Sequence, residues 1–298
     1  MTDQSKRTYI LGSEWLYFKI YTGTKTADTI LIQSLYSWVN ELLYNNIIDK
    51  WFFIRYYDPD FHIRLRVHLT ACRDFSTIFN NFLKTIEQYV DSGQIWNIQC
   101  DTYQQELERY GVNTMSIIED YFCIDSNAII HLLQGLVRNN IEKQRWNLSL
   151  ILIDSFLSAF SFDVIQRKKL LDTMSENFKK EFGMTNHNMK QQLDNKFRIN
   201  RAAIVEVMQW SNNTVLTGYL EIVKIRQEAI RLIAENLICL ERTNELQISL
   251  NSLLISMIHM TMNRLFRSKN RLHELVIYDF LSRYYTSTVV QTSHNKNH

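Results

Sequence analysis

The sequence predicts an α+β fold, with a small antiparallel sheet near the N-terminus and a mostly helical body after about residue 115. Three observations predict it. In FHIRLRVHL, Phe61, Ile63, Leu65, Val67 and Leu69 alternate strictly with His62, Arg64, Arg66 and His68, the period of a strand with one buried face. Elsewhere apolar residues recur at three- and four-residue spacing, the mark of amphipathic helices. The 298 residues include only 7 Gly and 1 Pro, too few for a loop-built all-β protein.

Taken in order, residues 27–43 place Ala27, Ile30, Leu31, Leu35, Trp38, Leu42 and Leu43 on one helical stripe. WFFIRYY at 51–57 is aromatic and β-prone, and Asp58-Pro59-Asp60 fits a turn, so 51–69 reads as a β-hairpin. Residues 75–91 return to helical spacing and end near Gly93. The stretch 97–112 suits strand and helix equally. Beyond it, helices are expected over 115–140, 146–160, 163–182, 200–209, 214–242, 248–266 and 271–285. The polar tail 286–298 is expected to be disordered. With no repeat or Pro/Ser-rich linker, residues 1–298 read as a single domain.

A formal net charge of +2 gives no global footprint for a nucleic-acid binder. Cys72, Cys100, Cys123 and Cys239 form no CxxC or zinc spacing, so they read as reduced packing residues of a cytoplasmic protein. The polar N-terminus lacks the apolar segment of a signal peptide, and no run of apolar residues is long enough to span a membrane.

Two constellations carry chemistry. If a two-residue turn closes the hairpin, Tyr57 faces His62 and Arg55 faces Arg64. Arg55, Tyr57, His62, Arg64 and Arg66 would then share one sheet face, with Ile54, Tyr56, Ile63 and Leu65 on the other. Such a face is either a solvated surface with acidic neighbours or an anion site, because guanidinium forks bind carboxylates bidentately. In SLNSLLISMIHMTMNRLF, Ser252, Ser256, His259 and Asn263 recur at helical spacing and draw a polar stripe through an apolar helix. His259 is there either a core histidine or a proton-transfer group. The methionines around it read as core. Arg264, Arg267, Lys269 and Arg271 read as cations complementing a helix C-terminus. No Walker A, Gly-x-Ser-x-Gly, HExxH or dinucleotide fingerprint is present.

Four segments occur in a recognisable order: WLYFKIY at 15–21, WFFIRYYDPDFHIRLRVHL at 51–69, DTYQQELERYG at 101–111 and SMIHMTMNRLF at 256–266. Together they resemble the C-terminal, glutamate-elimination region of class I lanthipeptide dehydratases, a family that includes stand-alone proteins of thiopeptide-type bacteriocin biosynthesis. The resemblance implies a lyase that removes glutamate from glutamylated Ser or Thr of a ribosomally made precursor peptide, leaving dehydroalanine or dehydrobutyrine. It places the catalytic set at Arg64, Arg66, Arg109 and His259; Arg55, Tyr57 and His62 on the hairpin face and Ser256 and Asn263 on the polar stripe are the substrate-binding candidates beside them. His259 would move the proton, while the arginines fix glutamate and stabilise charge.

No metal or organic cofactor is implied. The implied partners are the precursor peptide with its leader and a glutamyl-tRNA-dependent glutamylating enzyme; a homodimer is compatible, and direct contact with nucleic acid or membrane is not expected. One departure stands out: the family motif commonly reads RYGG, and here Arg109-Tyr110-Gly111 is followed by Val112. The alternatives are a thiopeptide macrocyclase, joining two dehydroalanines in a formal 4+2 cycloaddition, and a non-catalytic docking partner of the glutamylating enzyme.

Overall fold

The computed structural model describes residues 6–71, 75–139, 141, 143–183, 187–209 and 217–295. It is an α+β fold with a small antiparallel sheet in its N-terminal part. The chain forms two compact units, one made of residues up to Gln134 with Asn236–Ser268, the other of Gly135–Glu235 with residues from Lys269 on.

The first unit holds a four-stranded antiparallel sheet in the order β3-β4-β2-β5, formed by β2 (Trp15–Thr22), β3 (Ile48–Tyr57), β4 (Phe61–Leu69) and β5 (Ile95–Cys100). A two-stranded ladder joins β1 (Thr8–Tyr9) to β6 (Tyr103–Gln104). Sequence periodicity misses β2. It is a central strand with both faces covered, so almost all of its residues are buried and no alternation marks it. The ambiguous stretch 97–112 resolves into both readings in succession: the end of β5, then β6, then the single turn α4 (Leu107–Tyr110).

Helices α1 (Thr24–Ile30) and α2 (Tyr36–Tyr44) are joined by a π-helical segment, Leu31–Leu35. With α3 (Phe75–Asp91) they cover one sheet face, where Phe18 stacks on Phe82 and meets Trp38 edge-on. The other face packs against α5 (Met115–Arg138), whose Phe122 contacts Phe52. Helix α10 (Leu250–Leu265) lies against β3 and α4. Met257, Met260 and Met262 on it are core residues, as expected.

Arg264 is not a surface cation at a helix end. It is fully buried, pairs with Asp125 at 3.0 Å and donates through Nε to the Phe53 carbonyl at 2.9 Å. Arg267 likewise pairs with buried Asp28 at 2.6 Å. The thiols also differ from expectation: Cys100 and Cys239 are exposed, Cys123 is half-buried, and Cys72 lies outside the described residues.

The second unit is helical, built on α6 (Gln144–Ala159), α7 (Val164–Glu181), α8 (His187–Met208) and α11 (Asn270–Asn295), with part of α9 (Thr217–Arg242). Helix α6 is buried nearly all round. Asp163 and Gln166 form a reciprocal capping box at the start of α7. Helix α11 extends ten residues beyond the expected end at 285, so the tail from 286 to Asn295 is helical; residues 296–298 lie outside the described part. No described helix is long and apolar enough to cross a membrane.

Candidate functional site

The site is built on β4. Its register with β2 pairs Tyr17 with Arg66, Lys19 with Arg64 and Tyr21 with His62. Its register with β3 pairs Phe52 with Arg66, Ile54 with Arg64 and Tyr56 with His62. Directly opposed residues share a face, so the expected hairpin register is corrected by one residue. Tyr57 lies opposite Phe61, and the connecting loop holds three residues, Asp58 to Asp60. Because side chains alternate, that single step moves all of β3 to the other face. Arg55 and Tyr57 therefore leave the cluster, and Ile54 and Tyr56 join it.

Arg55 does a different job. It faces the helix-covered side, where Nη2 meets Asp28 at 2.5 Å and Nε donates to the Arg264 carbonyl at 3.0 Å. Tyr57 is 74% exposed. Asn263 also turns out to be structural: its side chain accepts from the Arg55 amide and donates to the Arg55 carbonyl, both at 2.8 Å. At the other end of the polar stripe, Ser252 bonds the N-cap Ser249 at 2.8 Å. Ser256 and His259 lie half-buried between these ends.

The cations on the cluster face are held differently from those behind it. Arg64 donates through Nε to His62 Nε2 at 3.1 Å, and its guanidinium lies 3.4 Å from the Tyr56 ring centroid. His62 in turn donates through Nδ1 to the Asp60 carbonyl at 2.9 Å. This pair of bonds requires the neutral Nδ1–H tautomer. Burial above all, with help from the Arg64 charge, pulls the imidazole below its ordinary range, which favours that neutral form. His62 thus orients Arg64.

Arg66 is 8% exposed. Its guanidinium lies 4.4 Å from the Tyr17 ring centroid, 4.7 Å from Tyr103 and 5.3 Å from Phe52. Among the described residues its Nε has no hydrogen-bond partner and no carboxylate forms an ion pair with it. Burial lowers its pKa from the arginine norm. A buried guanidinium ordinarily has a carboxylate beside it, as Arg55 and Arg264 do; ring faces are a partial substitute, about 0.5–2 kcal/mol each.

Arg66 lines a small cavity with Tyr103, Glu106, Tyr110, Phe122 and Met260. Tyr103 is anchored behind the cavity by its hydroxyl, which donates to Glu119 at 2.7 Å; Gln105 donates to the same carboxylate oxygen at 2.8 Å. Burial raises the pKa of Glu119 and carries that of Tyr103 well above the phenolic norm. It also pushes Tyr110 up to about 12. Arg109, on the single turn α4, pairs with Glu106 at 3.1 Å near the surface. Met260 is the chain neighbour of His259, so α10 brings the histidine's segment to this cavity.

Val112 does not have a positive φ, whereas Gly111 does, at 80°. A Cβ at Gly111 would stand 2.9 Å from the Thr114 hydroxyl. The glycine requirement of this loop therefore falls on Gly111, and Val112 is accommodated with its amide donating to Gln247 at 2.6 Å. Sequence reasoning missed Tyr17, Tyr103, Glu106 and Tyr110. Glu106 carried a readable signal, one helical turn before Arg109; the tyrosines had none beyond their place in the quoted segments. Among the described residues no group of three or more His, Cys, Asp or Glu could hold a metal ion.

Comparison with known proteins places the chain in a family. The nisin biosynthesis protein NisB of Lactococcus lactis subsp. lactis is 28% identical over 171 residues, 57% of this chain and 16% of its own. The subtilin biosynthesis protein SpaB of Bacillus subtilis is 25% identical over 188 residues, 59% of this chain and 18% of its own. This chain thus spans less than a fifth of the curated relatives it matches.

Among solved structures, the tRNA-dependent lantibiotic dehydratase MibB of Microbispora sp. 107891 aligns over 95% of this chain and 29% of its own, with TM-score 0.76 and 19% identity. The pyridine synthase TbtD of thiomuracin biosynthesis aligns over 92% of this chain and 99% of its own, with TM-score 0.70 and 12% identity. At these identities the two structures show a shared fold. The family described as lantibiotic biosynthesis dehydratase C-term matches residues 15–285, and the chain belongs to it.

Proposed function

We propose that this protein eliminates glutamate from glutamylated Ser or Thr of a precursor peptide, leaving dehydroalanine or dehydrobutyrine. One observation carries the reading: Arg66 is a buried cation with aromatic walls and, among the described residues, no carboxylate ion-paired to it, beside a cavity on the segment that resembles the family's catalytic strand. A glutamyl ester brings the carboxylate such a guanidinium takes. Arg64, oriented by His62, lies two residues along the same face and adds a second positive charge.

In the reaction a base removes the Cα proton, electrons move to form the Cα–Cβ double bond, and the Cβ–O bond breaks to release glutamate. Negative charge grows on the peptide carbonyl and then on the departing carboxylate. Fixed cations stabilise both. His259 is the proton-transfer group in this reading, and Arg109 steadies the leaving group from α4. The peptide, its leader and a glutamyl-tRNA-dependent glutamylating enzyme are the partners, and the cytoplasm is the compartment.

Mass spectrometry of a glutamylated precursor peptide incubated with the purified protein tests this. Loss of glutamic acid is expected, and His259→Ala and Arg66→Ala should each slow it at least ~30-fold, the scale for truncating a buried charge contact or a proton-transfer group. A second reading has its own observation: 92% of the chain shares its fold with the pyridine synthase TbtD, at TM-score 0.70. On that reading the substrate is an already dehydrated peptide, and a pyridine-containing product would appear where the glutamylated peptide stays unchanged.

A further inference from the structure

Beside Arg66 stands a second buried group that the proposed chemistry has not used. Tyr17 is 5% exposed, and among the described residues its hydroxyl has no hydrogen-bond partner. The two residues are directly opposed on adjacent strands, so they share the sheet face. The structure therefore carries two polar groups on neighbouring residues, a phenol O–H and a guanidinium Nε–H, both residues more than nine-tenths buried and both groups without a hydrogen-bond partner among the described residues. Both can donate, and neither has an acceptor. Buried polar groups are as a rule hydrogen-bonded, and leaving one unmade opposes folding. Two unmet donors on directly opposed residues, with the Arg66 guanidinium 4.4 Å from the Tyr17 ring centroid, fit one anion with two oxygens.

We infer that Tyr17 is a further substrate-binding residue, its hydroxyl donating to the same carboxylate group that Arg66 grips. The inference rests on the elimination reading for the identity of that carboxylate, which would be the α- or γ-carboxylate of the glutamyl moiety, and on the geometry alone for its presence. The surroundings suit a donor. The Arg66, Arg64 and Lys19 charges favour an anion nearby, while burial raises the phenol above its usual value and keeps its proton in place. Tyr17 is thus a neutral donor complementing a charged one, an arrangement that selects a carboxylate over a neutral amide.

Tyr17→Phe removes one oxygen and leaves the ring that stacks on Arg66. If the hydroxyl is only a buried, unsatisfied group, this change leaves Tm unchanged or raised and leaves ligand binding alone. If the hydroxyl holds the substrate anion, Tm behaves the same way but KM for the glutamylated peptide and the Kd of L-glutamate by calorimetry both rise about tenfold or more, the loss expected for a hydrogen bond to a charged group. Tyr17→4-fluorophenylalanine fills the oxygen's space without a donor and carries the same test should the Phe variant fail to fold.

Unchanged KM and Kd in the donor-less variants overturn the assignment while leaving elimination standing. Weakened L-glutamate binding in a chain whose wild type never eliminates glutamate upholds the anion site and overturns the elimination reading. A wild-type protein that neither binds L-glutamate nor turns over the peptide overturns both.

Discussion

His62 shows how much one residue's environment decides. It is buried between Tyr21 and Tyr56, at centroid distances of 4.6 and 5.7 Å, and tied to Asp60 and Arg64. The sequence offers it as a substrate contact; the structure makes it the prop of Arg64, because its acceptor nitrogen is already occupied. The folded protein holds this imidazole below the ordinary value of about 6.5, chiefly through burial. The unfolded chain therefore takes up the proton first as pH falls. Stability from His62 is present above about pH 6.5 and declines as pH falls from there to the lowered folded value. His62→Gln, which cannot titrate, should flatten Tm against pH over that acid window. Parallel profiles for the two proteins would show that His62 is not held neutral. Serine and histidine spacing on α10 was legible in the sequence, but which of those side chains meet solvent, a strand or the cavity depends on partners far away along the chain.

At the scale of elements, the informative joint is α10 against β3. As an outer strand, β3 exposes backbone groups that β4 does not reach. Ser126 accepts from the Phe53 amide at 3.3 Å, Arg264 donates to the Phe53 carbonyl, and Asn263 takes both backbone groups of Arg55. Asn263→Leu should cost about 1–3 kcal/mol for each unmet backbone group that water cannot reach. Chemical denaturation would show the lowered midpoint, and amide exchange should speed up at Arg55; an unchanged exchange rate there would count against the role. Much of this level was readable: the hairpin, the period of β4, the position of α3 and most later helices. The register was not, since it hung on the length of the turn, and the loop holds three residues, Asp58 to Asp60, where a two-residue turn was expected. Strand β2 escaped because burial on both faces erases periodicity, and the extension of α11 escaped because its polar C-terminal turns look like a tail.

For the molecule as a whole, the division into two units gives a way to separate folding from chemistry. Every predicted catalytic residue belongs to the first unit. In the second, Gly135 lies so close to Tyr219 that an added Cβ would stand 2.7 Å from a ring carbon. Gly135→Ala should therefore overpack that unit by about 1–3 kcal/mol and lower Tm by several degrees, while L-glutamate affinity of the folded protein stays at the wild-type value. A fall in both would mean that the packing of the second unit is felt at the Arg66 cavity.

The closure of β3 by α10 has another consequence. Uncovered outer strands invite other chains to pair with them and are a common origin of aggregation. Because Asn263 and Arg264 sit one turn after His259, the helix that carries the candidate proton-transfer group also keeps the sheet from growing outward at β3. Evolution is then not free to reshape this helix for new chemistry alone. Substitutions that tilt it would first reveal themselves as lost solubility, before any assay of peptide chemistry could be run, and association would begin along the strand that carries Arg55.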